Sequence, residues 1–344
     1  MDEKHFLTIK DIAKALNISP STVSRALKNN TKISPETRKL VQNYALLNKY
    51  KPNQLAVSLL TKQTSIIGVI VPELANHFFS AALSGMELVA EEHGYTVIVC
   101  QSLEDYYKEV KNVQTLIKAQ VSGVLISQSK TTVQHYEHFT ELLENKIPVV
   151  FFDRISTGIN TAKVVVDDYS GTFGAVEYMI KTGCKRIAFF SAPINLEISK
   201  NRRNGYLDAL RRYNLATDSG LIRFADDKKL GYERAMEVLR EPNPPDAFMA
   251  MNDYTASGIL VAVKELGLRV PDDVSVCGFS NSNISQDTDP MLSTVDQHPA
   301  KIGEEAMKLL LDKINHKNDP KTERNKIIKT TLILRQTTRR LITD

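Results

Sequence analysis

Several apolar runs of strand length are followed by polar or aromatic side chains that can bind a small molecule. Carboxylate and amide groups bond hydroxyls, and aromatic faces cover the apolar surface of a ring. Because α/β proteins bind ligands beside the carboxyl ends of their strands, these positions predict a site for a polar, ring-shaped ligand. The candidates are Asn76, Phe78, Phe79, Asp153, Arg154, Asn252, Asp253, Phe279 and Ser280.

Some of these candidates also have a purely structural interpretation. Asp153 could cap a turn, and Asp253 could be the acidic residue at the start of a helix, where the helix dipole favours it. Phe78 and Phe79 could belong to the hydrophobic core. The residue types alone leave both interpretations open.

A second group of polar side chains lies near the N-terminus. Val23, Ala26 and Leu27 would share one face of a short helix, which leaves polar residues on the remaining surface. Those residues can all donate hydrogen bonds: Ser21, Thr22, Ser24, Arg25 and Lys28. An arginine can bind guanine bidentately, and hydroxyls can reach bases or phosphates. The alternative is an ordinary three-helix bundle with a solvated polar face.

The flanking residues predict the helices that would position this polar group. Thr8, with an acid three residues later, is typical of a helix N-cap, and Ser19 followed by Pro20 is a second helix start. Ser34 and Pro35 repeat the pattern for a third helix. Two short helices joined by a tight turn indicate a helix-turn-helix.

The charge distribution favours a nucleic-acid partner for this segment. Residues 1–64 contain eleven Lys and Arg and four Asp and Glu, so their formal charge is 11 − 4 = +7. The remaining chain has 44 − 11 = 33 basic and 40 − 4 = 36 acidic residues, or −3. A basic segment attached to a mildly acidic body is what binding to a phosphate backbone requires.

The N-terminal residues resemble a known family. The segment Thr8-Ile-Lys-Asp-Ile-Ala-Lys-Ala-Leu-Asn-Ile-Ser-Pro-Ser-Thr-Val-Ser-Arg-Ala-Leu27 is similar to the headpiece of the lactose-repressor (LacI/GalR) family. Ser34-Pro-Glu-Thr-Arg38 and Tyr50-Lys-Pro-Asn53 match that family's third helix and the entry to its hinge. The resemblance continues to the C-terminus and covers nearly the whole chain.

The resemblance implies which residues contact DNA. It places Pro20, Ser21 and Arg25 at base-reading positions, and it implies a hinge helix over Asn53 to Leu60 that folds only on operator DNA. Leu59 falls where the family inserts a leucine into the minor groove, a wedge that kinks the duplex; its alternative is an ordinary apolar helix residue. The DNA contacts expected are Thr8, Ser19, Pro20, Ser21, Thr22, Ser24, Arg25, Asn53 and Leu59.

One departure from the family pattern concerns this hinge. Val57 stands where many relatives carry arginine, which removes a possible phosphate contact.

From residue 65 the hydrophobic pattern changes to strands alternating with amphipathic helices, which favours parallel, doubly wound sheets. The predicted strands are 66–71, 96–100, 123–127, 149–152, 164–166, 187–190, 247–250 and 274–277. The predicted helices are 79–92, 105–119, 132–144, 171–182, 202–213, 230–239, 253–266 and 301–314.

The fold class expected is therefore an all-α helix-turn-helix headpiece plus an α/β two-lobed domain similar to periplasmic binding proteins. The resemblance implies that the chain crosses between the lobes three times: near Val166, near 290–294 and near Asn325. The expected domains are a headpiece at 1–52, a hinge at 53–63 and an effector-binding and dimerisation domain at 64–344, with lobes at about 64–165 plus 295–325 and about 166–290 plus 326–344.

The resemblance adds Arg202 to the ligand candidates and supports Asn252, because both match ligand contacts of the family. A solvated arginine on a helix face is the alternative for Arg202, and Gly205 would permit close helix packing. Relatives that bind neutral sugars usually carry aspartate where this chain has Ser280. A sugar, a sugar acid and a sugar phosphate all remain open, and Arg154 and Arg202 would suit an anion.

Other classes of protein find less support in the sequence. There is no long apolar stretch for a membrane span and no secretory signal at the N-terminus, so we expect a cytoplasmic protein associated with the nucleoid.

The three cysteines are expected to be buried, reduced thiols. His135 and His138 are three residues apart in a polar stretch and are expected to be solvated. No catalytic residue, metal site or cofactor is predicted.

The resemblance implies a ligand-responsive, sequence-specific regulator, usually a repressor, of a carbohydrate-utilisation operon. Its expected partners are double-stranded operator DNA, a second copy of the chain in a homodimer, and a small effector such as a sugar or sugar derivative in the cleft between the lobes. The alternatives are a solute-binding transport protein, opposed by the basic headpiece, and an α/β enzyme, opposed by the missing motifs.

Overall fold

The computed structural model of this protein describes residues 7–50, 64–133, 135–315 and 325–341. The chain divides into two compact units, residues 1–64 and 65–344. Among the described residues, no helix combines the length and the hydrophobicity that are needed to span a bilayer.

The first unit contains the three short helices that the sequence predicts: α1 (Ile9–Ala15), α2 (Pro20–Leu27) and α3 (Pro35–Leu47). All three predicted caps are confirmed. Thr8 forms a capping box with Asp11, Ser19 accepts a hydrogen bond from the backbone N–H of Thr22, and Ser34 accepts one from that of Thr37. The helices surround a small core of Ile12, Ala13, Val23, Ala26, Val41 and Ala45.

The second unit begins with a six-stranded parallel sheet that forms the first lobe. The strands are β1 (Ile66–Val71), β2 (Thr96–Gln101), β3 (Gly123–Ile126), β4 (Val149–Phe152), β5 (Ala162–Val166) and β11 (Asn325–Ile328). Their order across the sheet is β11-β5-β4-β3-β1-β2, and every neighbouring pair is parallel. Strands β1, β3 and β4 are almost wholly buried because helices cover both faces of the sheet.

The helices of the first lobe are α4 (His77–Glu92), α5 (Tyr106–Lys118), α6 (Glu137–Glu144) and α12 (Pro299–Asn315). Helices α4 and α12 share one hydrophobic cluster with the sheet, whereas α5 and α6 cover the opposite face. The predicted helix from Thr132 is wrong in its first turn, since the helix begins only at Glu137. Thr132 instead donates a hydrogen bond to the buried carboxylate of Glu109.

The second lobe has a four-stranded parallel sheet in the order β7-β6-β8-β9. The strands are β6 (Ile187–Ser191), β7 (Ile222–Phe224), β8 (Ala247–Ala250) and β9 (Ser275–Cys277). The helices of this lobe are α7 (Asp168–Lys181), α8 (Glu197–Arg212), α9 (Lys228–Leu239), α10 (Asp253–Glu265) and the short α11 (Ile284–Asp287). Together with the first sheet, this arrangement confirms the predicted two-lobed architecture.

Two short strands, β10 (Thr294–Asp296) and β12 (Thr331–Ile333), form an antiparallel ribbon that the sequence did not predict. They lie on chain segments that connect the two lobes, and three residues each are too few to give a hydrophobic pattern. The third crossing falls after Ile328, later than the expected position near Asn325, because β11 still pairs with β5 in the first lobe.

Candidate functional site

The polar surface of α2 is exposed in the first unit. Ser21 and Arg25 are exposed on the helix itself, while Ser24 is half-buried. Val23 and Ala26 are completely buried on the opposite side, so hydrophobic packing fixes which face of α2 points outward. This division between faces is the one that the sequence predicts.

A group of hydroxyls lies at the start of α2. The Ser19 Oγ accepts from the backbone N–H of Thr22 at 3.1 Å. It also lies 2.8 Å from both the Ser21 Oγ and the Thr22 Oγ1. Pro20 is exposed in the same turn. These residues form a small polar surface at the N-terminal end of α2, where a helix can approach a phosphate or a base edge.

Arg25 is the charged group of this surface. Among the described residues of the headpiece, its guanidinium has no hydrogen-bond or ion-pair partner, and so its donors are available to a ligand. Thr8 differs, because its hydroxyl donates to the carboxylate of Asp11 at 2.7 Å as part of the helix cap. The predicted DNA contacts Asn53 and Leu59, together with Val57, lie outside the described residues.

In the second unit, Arg202 is the centre of a buried polar cluster. It lies on α8 and is 4% exposed. Its Nε donates to the Asp168 Oδ1 at 2.7 Å, and its Nη1 donates to the carbonyl of Met251 at 2.5 Å. The guanidinium lies 3.7 Å from the centroid of the Phe279 ring, in a cation–π contact. The alternative of a solvated Arg202 is wrong, and Asp168 is a partner that the sequence did not reveal.

Asp153 follows β4 in the first lobe and belongs to the same electrostatic cluster. Its side chain is buried, and the nearest donor is the Ser127 hydroxyl at 3.5 Å from Oδ2. Burial raises the pKa of Asp153 to about 6, although Arg154 and Arg202 partly oppose this effect. The charge of Asp168 also raises the pKa of Asp153, so charged groups of the second lobe lie near enough to act on this carboxylate.

Arg154 covers an aromatic residue at the same sheet edge. Its guanidinium lies 5.7 Å from the centroid of the Phe79 ring, and its Nη1 donates to the Glu104 Oε1 at 2.6 Å. Phe79 and Phe78 pack edge to face with ring centroids 5.3 Å apart, and both are buried. The structure therefore favours a core role for the two phenylalanines, the alternative that the sequence left open.

Two hydrogen bonds connect the lobes beside this cluster. Lys130, in the loop after β3, donates from Nζ to the Asp226 Oδ2 at 3.0 Å. The carbonyl of Lys130 accepts from the side-chain amide of Asn195 at 3.0 Å. Asp226 follows β7 and Asn195 follows β6, so both partners lie at the carboxyl edge of the second sheet. None of these three residues was predicted from the sequence, although each follows a strand and position alone could have indicated them.

Asn252 and Asp253 hold the start of α10. The Asn252 side chain accepts from the backbone N–H of Thr255 and donates to the carbonyl of Asp226. The Asp253 carboxylate is fully buried and accepts hydrogen bonds from Thr294 and Ser282. Burial raises the pKa of Asp253 to about 6. The structure favours the helix-start interpretation of Asp253, because its oxygens are already occupied.

Ser280 lies after β9 in a left-handed turn with φ 112°. Its hydroxyl donates to the Gln297 side chain at 2.7 Å, and the neighbouring Asn281 donates to Asp296 at 3.0 Å. Both partners belong to the second crossing between the lobes. Phe279 is completely buried beneath Arg202, so it supports that guanidinium rather than offering a free ring face.

Several buried polar atoms near the carboxyl edges have no hydrogen-bond partner among the described residues. These atoms are the His77 Nδ1, the Gln128 Oε1, the Arg154 Nε and the Ser199 Oγ. They follow β1, β3, β4 and β6 respectively. An unsatisfied buried polar atom costs roughly 1–3 kcal/mol, so a polar ligand would gain by supplying the missing partners. Asn76 accepts from the Phe78 backbone N–H and caps α4 at this edge.

His138 contradicts the prediction of a solvated side chain. It is 3% exposed, and its Nε2 lies 3.0 Å from the Glu109 Oε1. The second oxygen of Glu109 accepts from both the backbone N–H and the hydroxyl of Ser129. This cluster holds the loop that carries Lys130.

His135 is exposed, as expected. Of the three free cysteines, Cys184 and Cys277 are buried and Cys100 is half-buried.

The fold and the clustered polar groups together define a class: a helix-turn-helix headpiece attached to a two-lobed α/β domain with a polar cluster between its lobes. Residues 8–53 match the family described as bacterial regulatory proteins, lacI family, and residues 176–338 match the periplasmic binding protein-like domain. The chain is 32% identical over 335 residues to the HTH-type transcriptional repressor CytR of Escherichia coli K12, covering 97% of both chains.

Two further comparisons agree. Catabolite control protein A of Priestia megaterium is 31% identical over 311 residues, which cover 90% of this chain and 93% of that protein. A crystal structure of the lac repressor dimer bound to operator and the anti-inducer ONPF aligns with a TM-score of 0.84 and 26% identity, covering 97% of this chain and 99% of that one. The chain therefore belongs to the lacI family of bacterial regulatory proteins.

Proposed function

We propose that this protein is a transcriptional repressor that binds operator DNA as a homodimer and responds to a small polar effector held between its lobes. The observation that carries the proposal is the exposed face of α2, where Arg25 has no partner in the described headpiece and lies about one helical turn after the exposed Ser21. The formal charge of residues 1–64, 11 − 4 = +7, supplies the attraction to phosphates.

We assign a role in DNA binding to each part of the headpiece. Arg25 reads a base edge in the major groove, while the hydroxyls at the N-terminal end of α2 contact phosphates or bases. Thr8, at the start of α1, contacts the phosphate backbone. Asn53 and Leu59 contact the DNA from the hinge, with Leu59 as a minor-groove wedge. The names of the relatives, which are repressors and regulators, support this assignment.

The effector site proposed lies around Arg202, Asp153 and Asn252. Their positions at the carboxyl edges of both sheets support this assignment, together with the unpartnered polar atoms nearby. A sugar or sugar derivative fits the hydrogen-bonding groups, and a carbohydrate-utilisation operon is the corresponding target. The lac repressor structures, which contain ONPF or ONPG, also support a ligand in this class of fold.

The proposal is tested by comparing two variants that each remove one positive charge from the headpiece. Fragments selected from the source genome with the full chain are compared with random duplex at fixed salt. Arg25→Ala should lose roughly 10- to 100-fold in affinity for the selected fragment and little for random duplex. Lys14→Ala, an exposed position on α1, should weaken both by a similar factor.

Two results would contradict the proposal. One is a full chain that never prefers any selected fragment over random duplex. The other is an Arg25→Ala variant whose preference for the selected fragment equals that of Lys14→Ala, because base reading would then not involve Arg25.

A further inference from the structure

Three cationic side chains of the interlobe cluster are each paired with a carboxylate. Arg202 bonds Asp168 at 2.7 Å, Arg154 bonds Glu104 at 2.6 Å, and Lys130 bonds Asp226 at 3.0 Å. Each cation thus has a carboxylate of its own. Asp153 is one further carboxylate, so these three pairs and Asp153 together carry more acidic than basic groups.

The pair between Arg202 and Asp168 is the most deeply buried of the three. Their side chains are 4% and 2% exposed, compared with 39% for Lys130. Because the surroundings exclude water, the field of the guanidinium is cancelled mainly by Asp168 and is little screened by solvent. The guanidinium also donates to the Met251 carbonyl and lies on the Phe279 ring, so its orientation is fixed.

An anionic ligand would therefore meet an unfavourable environment beside Arg202. It would approach a guanidinium whose charge is already neutralised, and it would lie close to the carboxylates of Asp168 and Asp153. An uncharged ligand with hydroxyl groups meets no such repulsion and can donate hydrogen bonds to the Asp153 carboxylate.

We propose that Asp168 is a specificity-determining residue that restricts the effector to uncharged, hydroxyl-bearing molecules by neutralising Arg202. This inference deepens the proposed function and rests on it, because it takes the interlobe cluster as the effector site. It separates two classes of ligand that the sequence left together: neutral sugars and related polyols are accepted, whereas sugar phosphates and sugar acids are excluded.

The decisive variant is Asp168→Asn, which keeps the size of the side chain but removes its charge. The guanidinium of Arg202 then has an uncompensated charge, and it should bind an anion. Asp167→Asn is the matched control: it removes a neighbouring carboxylate that caps α7 and has no hydrogen bond to Arg202. Asp168→Glu keeps the charge and should keep the exclusion of anions.

The experiment measures binding to the full chain by calorimetry and by thermal shift at constant ionic strength. The probes are inorganic phosphate, and ribose and glucose with their 5- and 6-phosphates. The wild type and Asp167→Asn should show no saturable binding of any phosphate-bearing probe. Asp168→Asn should bind at least one of them saturably, about tenfold or more tightly than the weakest binding that the assay detects. This gain should disappear in the double variant Asp168→Asn with Arg202→Ala.

Two results would overturn the inference. In the first, the wild type binds a phosphate-bearing probe saturably and loses that binding in Arg202→Ala. In the second, Asp168→Asn is folded by circular dichroism and still gains no affinity for any anionic probe. If Asp168→Asn does not fold, Asp168→Ser provides the same charge removal and is judged by the same criterion. DNA binding is measured in parallel, and its absence in the wild type would refute the proposed function without changing the outcome of the anion test.

Discussion

Replacing Asp153 by asparagine should stabilise the protein at neutral pH while it weakens effector binding. Asp153 is 6% exposed, and its closest polar contacts are long: 3.5 Å to the Ser127 hydroxyl and 3.9 Å to the Arg154 Nε. The charged carboxylate is thus taken out of water without short hydrogen bonds to compensate. Burial raises its pKa from 3.8 to about 6.

The expected size of the effect follows from this pKa. A rise of about two units corresponds to roughly 3 kcal/mol of free energy against the charged form in the folded protein. The folded state binds the proton more tightly than the unfolded state. This group's contribution to the free energy of unfolding is therefore most favourable below about pH 4, falls as the pH rises to about 6, and is constant above that.

Urea unfolding of the wild type and Asp153→Asn between pH 4 and pH 8 measures this difference. The variant should be the more stable protein at pH 8, by up to roughly 3 kcal/mol, and the difference should shrink towards pH 4. Asp312→Asn, at an exposed position on α12, is the control and should show no such trend.

A variant that is less stable than the wild type at pH 8, or a difference that does not change with pH, would refute this reasoning. The affinity for the effector should change in the opposite direction to the stability. If the carboxylate of Asp153 accepts a hydrogen bond from the effector, Asp153→Asn should bind it about tenfold more weakly, since a charge-assisted bond is replaced by a neutral one. Stability gained together with affinity lost is the pattern expected of a binding residue.

Two further substitutions test the packing around the cluster. Glu109→Ala should lower the free energy of unfolding by on the order of 3 kcal/mol, because four buried donors or ring nitrogens lose their acceptor. The control is Glu144→Ala, at an exposed position on α6, which should change the free energy of unfolding little. Equal effects of the two substitutions would contradict the buried hydrogen-bond network around Glu109. Gly205→Ala should lower the free energy of unfolding by about 1–3 kcal/mol, because the added Cβ would overlap the carbonyl of Tyr169. The control is Gly174→Ala on α7, whose added Cβ meets no atom within 4 Å, so this substitution should be neutral or stabilising.

Short-range features of the sequence were sufficient to predict most of the helices and strands. The caps at Thr8, Ser19 and Ser34 could be predicted because each depends on residues within one helical turn. The central strands could be predicted because burial on both faces requires uninterrupted apolar runs, such as Val149–Phe152. These features need no knowledge of the rest of the chain.

The polar partners could not be predicted because they depend on contacts distant in sequence. Asp168 meets Arg202 from 34 residues away, and Lys130 meets Asp226 from 96 residues away. His138 shows the same limit: its polar neighbours in sequence suggested exposure, but Glu109 from another helix provides a buried acceptor. A polar residue next to polar residues can be buried if the fold supplies its partner.

The contacts of the cluster also explain why the site and the crossings between the lobes should respond together. Asp168 is the second residue after β5, so the carboxylate that neutralises Arg202 lies at the first crossing. Asp253 accepts from Thr294, and Ser280 donates to Gln297; both partners lie on the second crossing.

A ligand that draws Asp153 and Arg202 together acts on groups attached to these segments. It favours one lobe arrangement only by the difference in its affinity for the two arrangements. If effector binding acts on the lobes through these crossings, substitution of Thr294 or Gln297 should change the effector concentration needed for half-maximal response. The same substitution should change the DNA affinity measured without effector by a smaller factor. An equal change in both quantities would mean that the crossings only stabilise the fold.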